Sequence, residues 1–158
     1  MLYIQDQDGT YQPAPKDIVF SEAHRLSGHL LRRGVIIRSS VAAKAVIQLR
    51  LNAYECEVFA CLFLDSKHRV LAWLEMFRGS VNCATVHPRE VVKEALRLNA
   101  AAVVLAHNHP SGDSTPSPQD LELTKKLKDI LRVIDVRVID HLIVGHEITS
   151  MADAGLIN

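Results

Sequence analysis

Little in this chain suits a polyanion, a membrane or an oxidising compartment. Its 18 basic residues are matched by 18 acidic ones, so the formal net charge is zero. No broad basic footprint for a phosphate backbone is present, which argues against direct nucleic-acid binding. No apolar run approaches the roughly 20 residues needed to span a bilayer. The opening "MLYIQDQDGT" has neither the basic n-region nor the apolar h-region of a secretory signal. Cysteine is sparse: Cys56, Cys61 and Cys83 form an odd set without CxxC spacing. A disulfide framework is therefore not expected, whereas reduced thiols in a cytoplasmic protein are. What the chain does have is a hydrophobic content of 48% against 23% charged residues over 158 positions. Those proportions fit one ordered globular domain with room for a core.

Met1 to Lys16 is polar, contains Pro13 and Pro15, and reads as a loose arm (residues 1–16). Residues 17–54 read as N-terminal helices. The first is "FSEAHRLSGHLLRRG", with Ser21 as its cap, Leu26 and Leu30 on one face and Gly34 as its stop. The second starts near Ser39 or Ser40, with an apolar stripe of Ala42, Ala45, Val46 and Leu49. Residues 55–158 read as the main domain. "EVFACLFLD" (Glu57 to Asp65) is an apolar run of strand formers, as expected of a strand buried on both faces. "VLAWLEMFRG" follows as its hairpin partner. "HPREVVKEALRLN" is a helix with Pro88 in its first turn and Val91, Ala95 and Leu98 on its inner face. "AAAVVLAHNH" is a third strand. A helix then runs from about Pro118 to Leu131, with Leu121, Thr124, Leu127 and Leu131 inward, and "VRVIDHLIVG" is one long strand or a strand pair. The order ααββαβαβ(β) predicts an α/β fold of mixed sheet and helices.

Chemistry concentrates in "HNHPSGDSTPSPQD", His107 to Asp120. Residues two apart on a strand share a face, about 7 Å apart at Cα, so His107 and His109 can converge on one divalent ion. The strand turns polar at His107, which puts the pair at a strand end. Beyond the Pro/Ser loop, Ser117, Pro118 and Asp120 form the acidic variant of a capping box, a pattern that needs no metal. Capping and ligation are compatible, because an aspartate in the first turn can face outward to a metal. Two imidazoles and a carboxylate supply three ligands and leave one position of a tetrahedral zinc site for water. Such a site needs a general base, for which Glu57, Glu75 and Glu55 are the candidates by position.

His107-x-His109-x7-Ser117-x2-Asp120 resembles the JAMM motif of the JAB/MPN metalloproteases. The wider string "HPREVVKEALRLNAAAVVLAHNHPSGDSTPSPQDLELTKKL", followed by "VIDHLIVG", resembles the RadC-like branch of that family, over roughly Glu55 to Leu156. The resemblance implies a JAB/MPN-like (cytidine-deaminase-like) mixed β-sheet flanked by helices. It implies zinc held by His107, His109 and Asp120, with Glu57 as general base, since Glu57-Val58-Phe59 matches the family context better than Glu75. It also implies a Ser117 hydroxyl near the water and the developing oxyanion. Longer RadC-like proteins carry a helix-hairpin-helix-type domain ahead of this one. Here about 54 residues precede Glu55, without a clear GxG hairpin, so the resemblance is to the short single-domain form.

The function expected is that of a zinc-dependent metallohydrolase acting on a peptide or isopeptide bond of a peptide or protein substrate. The alternative is a metal-stabilised binding or scaffold domain, in a DNA-repair or mobile-element context, without hydrolytic activity. The literal "HNH" is not the nuclease motif of that name, whose residues are spread over tens of positions. The HxE and PCxxC of zinc deaminases are missing. Asp140 and His141 read as a partly buried structural pair, with support of a metal ligand as the other reading. Asn108 reads as structural and Asp113 as a solvated turn residue. Trp73 reads as core or interface. His24, His29, His68, His87 and His146 read as surface residues.

Overall fold

The computed structural model describes residues 2–79 and 86–157. Cys83 lies outside the described residues. Eleven elements follow in chain order among the described residues: β1 (Tyr3–Gln5), β2 (Tyr11–Pro13), α1 (Lys16–Leu30), α2 (Ser40–Leu51), β3 (Val58–Leu64), β4 (Val70–Arg78), α3 (Pro88–Arg97), β5 (Ala102–Asn108), α4 (Pro118–Arg132), β6 (Arg137–Val144) and β7 (Ile148–Ser150). β3 to β7 form one five-stranded mixed sheet in the order β4-β3-β5-β6-β7. β5 and β6 are parallel and every other pair is antiparallel. α4 is the crossover between the two parallel strands. The expected mixed α/β sheet flanked by helices is what the chain forms.

Both faces of the sheet are buried, and period-two alternation assigns residues to them. On β3, Val58, Ala60, Leu62 and Leu64 pack with Val46, Ile47 and Leu51 of α2. Phe59, Cys61 and Phe63 face the other way, onto Val91 and Ala95 of α3 and Leu127 and Leu131 of α4. A strand covered on both sides must be apolar at every position, and all seven residues of β3 are buried. Cys56 and Cys61 are free thiols, and burial pushes the Cys61 thiol upward.

Several local expectations need correction. The loose arm contains a short antiparallel hairpin, β1 against β2, with Gly9 in the turn at φ 87°. Ser21 does not cap α1. The helix begins at Lys16, directly after Pro15, and the Ser21 hydroxyl donates to the Ile18 carbonyl inside it. Proline lacks an N–H and is tolerated at a helix start, so Pro15 marks the boundary better than a serine one turn later. Leu26 is exposed rather than sharing a packed face with Leu30. On α2, Ser39 is the cap, as expected, but the buried face is Val46, Ile47 and Leu51, with Ala42 and Ala45 exposed. On α4, Leu121 is 39% exposed, and the inner row is Asp120, Thr124, Leu127 and Leu131. That row begins with a carboxylate, which hydrophobic patterning passes over. "VRVIDHLIVG" contributes one long strand, β6, and the separate short β7 lies beyond it.

Candidate metal centre

β5 carries apolar residues until it reaches the sheet's end, where His107 and Asn108 are 2% and 3% exposed. α4 packs across the same face through Leu127 and Leu131, so its first turn arrives beside the end of β5. That packing brings Asp120 to the two imidazoles. His107 Nε2 is 2.9 Å from His109 Nε2 and 3.2 Å from Asp120 Oδ1, and His109 Nε2 is 3.4 Å from Asp120 Oδ2. His107, His109 and Asp120 form a group that could hold a metal ion. A tetrahedral centre with bonds of about 2.0–2.1 Å has edges of about 3.3–3.4 Å, close to these separations.

The protonation of each ring fits the same reading. His109 Nδ1 lies 2.7 Å from the backbone carbonyl of Asp113, an acceptor only. His109 is therefore protonated at Nδ1 and directs its Nε2 lone pair towards His107 and Asp120. Asp113 thus contributes through its main chain, while its carboxylate accepts from the Thr115 amide in the turn. His107 Nδ1 lies 2.8 Å from Nε2 of His141, a fully buried residue. Burial, with His107 beside it, drives the His141 pKa well below the usual histidine value, so this ring is neutral. Burial also raises the Asp120 carboxyl, but the neighbouring His107 ring and the hydrogen bonds from Ser117 outweigh that and hold it well below the usual carboxylate range. Two imidazole nitrogens and an ionised carboxylate converge on one point, a donor set suited to a borderline-soft divalent cation.

The helix-cap and metal readings of Ser117-Pro118-x-Asp120 hold together. Ser117 Oγ accepts from the Asp120 amide at 3.1 Å, and Asp120 Oδ2 accepts from the Ser117 amide at 2.7 Å, the reciprocal capping box. The Ser117 hydroxyl proton also goes to Asp120 Oδ2, at 2.6 Å. Oδ1 is left to face His107. The cap thus fixes the carboxylate's orientation.

Glu57 immediately precedes β3. Phe59 pairs with His107, so the same antiparallel register sets Glu57 level with His109, on the face that carries both imidazoles. Asn108 holds this segment in place. Its Oδ1 accepts from the Val58 amide at 2.8 Å, and its Nδ2 donates to the Cys56 carbonyl at 3.0 Å. The backbone on both sides of Glu57 is thereby tied to the residue between the two histidines. Glu75 pairs with Ala60, which belongs to the opposite face, and is engaged by Tyr54 at 2.7 Å and Arg78 at 3.0 Å.

The loop after His109 is closed down by the β6–β7 turn. Gly112 accepts from the His146 amide at 2.8 Å. Gly112 sits at φ 86°, and a Cβ there would come within 2.4 Å of the His146 ring; a Cβ on Gly145 would come within 2.2 Å of the Gly112 oxygen. Two glycines allow two backbones to touch. His146, read from sequence as an unconnected surface residue, is exposed yet belongs to this contact. Beside His109 opens a cavity of about 300 Å³, lined among others by Asn52, Tyr54, Pro110, Gly112 and His146. Asp140 and His141 are not a pair through their side chains. Strand alternation sends His141 to His107 and Asp140 to the opposite face, where its oxygens take the Ala152 amide at 3.0 Å and the Ser150 hydroxyl at 2.5 Å.

A mixed sheet with two converging imidazoles at the end of its central strand, facing a carboxylate on the crossover helix, defines an α/β domain with a candidate mononuclear metal centre. Residues 37–156 match the family described as RadC-like JAB domain, and the chain belongs to that family. A UPF0758 protein of Marinobacter nauticus is 46% identical over 150 residues, 94% of this chain and 67% of the relative. A UPF0758 protein of Vibrio cholerae is 45% identical over 144 residues, 91% of each chain. Another, from Nitrosococcus oceani, is 52% identical over 128 residues, 80% of this chain and 57% of the relative. The chain thus spans about two thirds of the Marinobacter relative's length. The match begins between α1 and α2, so it takes in α2, which covers one face of the sheet.

Proposed function

We propose that this domain is a zinc-dependent hydrolase of peptide or isopeptide bonds. The carrying observation is the convergence of His107 Nε2, His109 Nε2 and Asp120 at 2.9 to 3.4 Å from one another, with both rings turned so that their Nε2 atoms face one another. Bound there, zinc would lower the pKa of a water towards about 7 and polarise a carbonyl. Glu57, set level with His109 and held by Asn108, takes a proton from the attacking water and delivers it to the leaving amine. Ser117 orients Asp120; to donate to a developing oxyanion its hydroxyl turns away from Asp120 Oδ2. The cavity beside His109 is the natural seat for an extended segment of a peptide or protein substrate. Free Cys56 and Cys61 fit the cytoplasm.

The test has two stages. Metal content by mass spectrometry is expected to show about one zinc per chain, lost on His109→Ala. The zinc-loaded protein is then assayed against fluorogenic peptide and isopeptide libraries, with Glu57→Gln as control. Turnover abolished by Glu57→Gln with zinc retained supports the reading. Zinc bound without turnover on any library shifts the assignment to a metal-stabilised binding domain, and absence of zinc uptake removes the hydrolase altogether.

A further inference from the structure

Behind His107, on the side away from His109, lies a chain of buried groups that the proposed hydrolysis does not use. His107 Nδ1 is 2.8 Å from His141 Nε2, and His141 Nδ1 is 2.6 Å from Thr124 Oγ1. Thr124 Oγ1 is in turn 2.5 Å from the backbone carbonyl of Asp120. His107, His141 and Thr124 are 2%, 0% and 3% exposed. Away from the cluster of His107 Nε2, His109 and Asp120, each of these contacts is a donor–acceptor pair, because two facing lone pairs there would be left with neither solvent nor a bound cation to relieve them.

The carbonyl sets the direction of the whole chain. It can only accept, and a hydroxyl has one proton, so Thr124 donates to Asp120 and must accept from His141. The other neighbour of the Thr124 hydroxyl, Met151 Sδ at 3.6 Å, is also an acceptor and imposes the same direction. His141 therefore carries its proton on Nδ1 and its lone pair on Nε2. That lone pair accepts from His107 Nδ1–H, which leaves the lone pair of His107 on Nε2, aimed at His109 and Asp120. Phe59 holds the two rings in place, with its ring 6.3 Å from that of His107 in a stacked arrangement and 5.7 Å from that of His141 edge-on.

We propose that Thr124 and His141 are positioning residues that lock His107 in the Nδ1–H form and thereby set the metal affinity of the site. The proposal rests on His107, His109 and Asp120 being a metal site. The relay starts at the main chain of one ligand and ends at the side chain of another, so the first turn of α4 and the end of β5 are oriented together. Hydrogen-bonded partners of metal-bound histidines act this way by fixing ring tautomer and orientation.

The experiment is a zinc titration against a chromophoric chelator for the wild-type chain and for Thr124→Val, Thr124→Ser, His141→Gln and His141→Phe. Thermal unfolding of each in EDTA reports on the metal-free fold. Thr124→Val removes only the hydroxyl at constant shape and is expected to weaken zinc binding about ten- to a hundred-fold, as is His141→Phe. Thr124→Ser is expected to bind close to wild type, and His141→Gln, whose Oε1 can accept from His107, to fall between. Long-range nitrogen–proton NMR of the zinc-loaded protein is expected to show both rings protonated at Nδ1. Wild-type affinity in both Thr124→Val and His141→Gln, or a proton on Nε2 of either ring, overturns the relay while leaving the metal site intact. Failure of the wild-type chain to bind zinc overturns the metal site and the relay with it. Should His141→Phe not fold, Thr124→Val against Thr124→Ser decides the question.

Discussion

Two buried polar networks lie back to back on β6, one on each face of the sheet, and they end differently. Asp140 opens the first. Its oxygens take the Ala152 amide, the His141 amide and the Ser150 hydroxyl, and Ser150 Oγ goes on to accept from the Asp153 amide. Every member has its partner and the network closes on the turn after β7. The second begins one residue later at His141, passes through His107, and ends where His107, His109 and Asp120 present acceptors to one another. It does not close without a cation or a proton. Neighbouring residues of similar burial thus do opposite work: a saturated network fixes a turn, and the other leads to a group that could hold a cation. Burial alone does not separate the two; donor and acceptor counting does.

The comparison is most sharply broken by exchanging losses across β6. Asp120→Ala should abolish zinc binding while the sheet still forms, as read by metal content and circular dichroism. Asp140→Ala should do the reverse. It leaves two amides and a hydroxyl unmatched in a buried turn, with an expected loss of roughly 2–4 kcal/mol in urea unfolding and zinc stoichiometry unchanged. Equal effects of the two substitutions on zinc would show the networks to be one.

A smaller effect is expected at Asn108, which bridges the two functional segments. Asn108→Ala removes the bonds to Val58 and Cys56 and should cost about 1–3 kcal/mol in stability. If the clamp positions Glu57, hydrolysis falls further than zinc binding does, and the ratio of the two losses measures the clamp. Gly145→Ala places a methyl carbon against the Gly112 oxygen and should cost roughly 1–3 kcal/mol through the displaced HxH loop.

The smallest effect belongs to Glu75, the carboxylate on the face away from the imidazoles. Burial raises its pKa, but the Tyr54 hydroxyl and Arg78 outweigh that and hold it below its ordinary value of 4.5. A carboxylate depressed in the folded state contributes its stability above the ordinary pKa and loses it as pH falls below that value. Glu75→Gln should therefore flatten the stability profile below pH 4.5, by under about 1 kcal/mol because the group is part-exposed, and leave zinc content untouched.

Strands and helices with strong apolar periodicity were legible from residues alone. β3 is buried along its length, and Val91 and Ala95 on α3 fall where the 3.6-residue repeat places them. Weak periodicity misled. On α2 alanines dilute the stripe, and on α4 the inner row opens with the carboxylate Asp120, so apolar patterning selects Leu121 in its place. The separate roles of Asp140 and His141 follow from strand alternation: on a buried strand, neighbours face opposite sides, so the two cannot share one environment.

The sequence by itself determined which residues could act as ligands and on which elements they sit, because HxH spacing and a helix cap are local and their geometry follows from backbone periodicity. Only the tertiary structure decided that the cap and the strand end meet, that Asn108 ties Glu57 into place, and that Thr124 and His141 back His107. Those contacts join residues separated by 11 positions, for His109 and Asp120, up to 52, for Cys56 and Asn108. Their donor and acceptor directions depend on burial and packing, which no local spacing encodes.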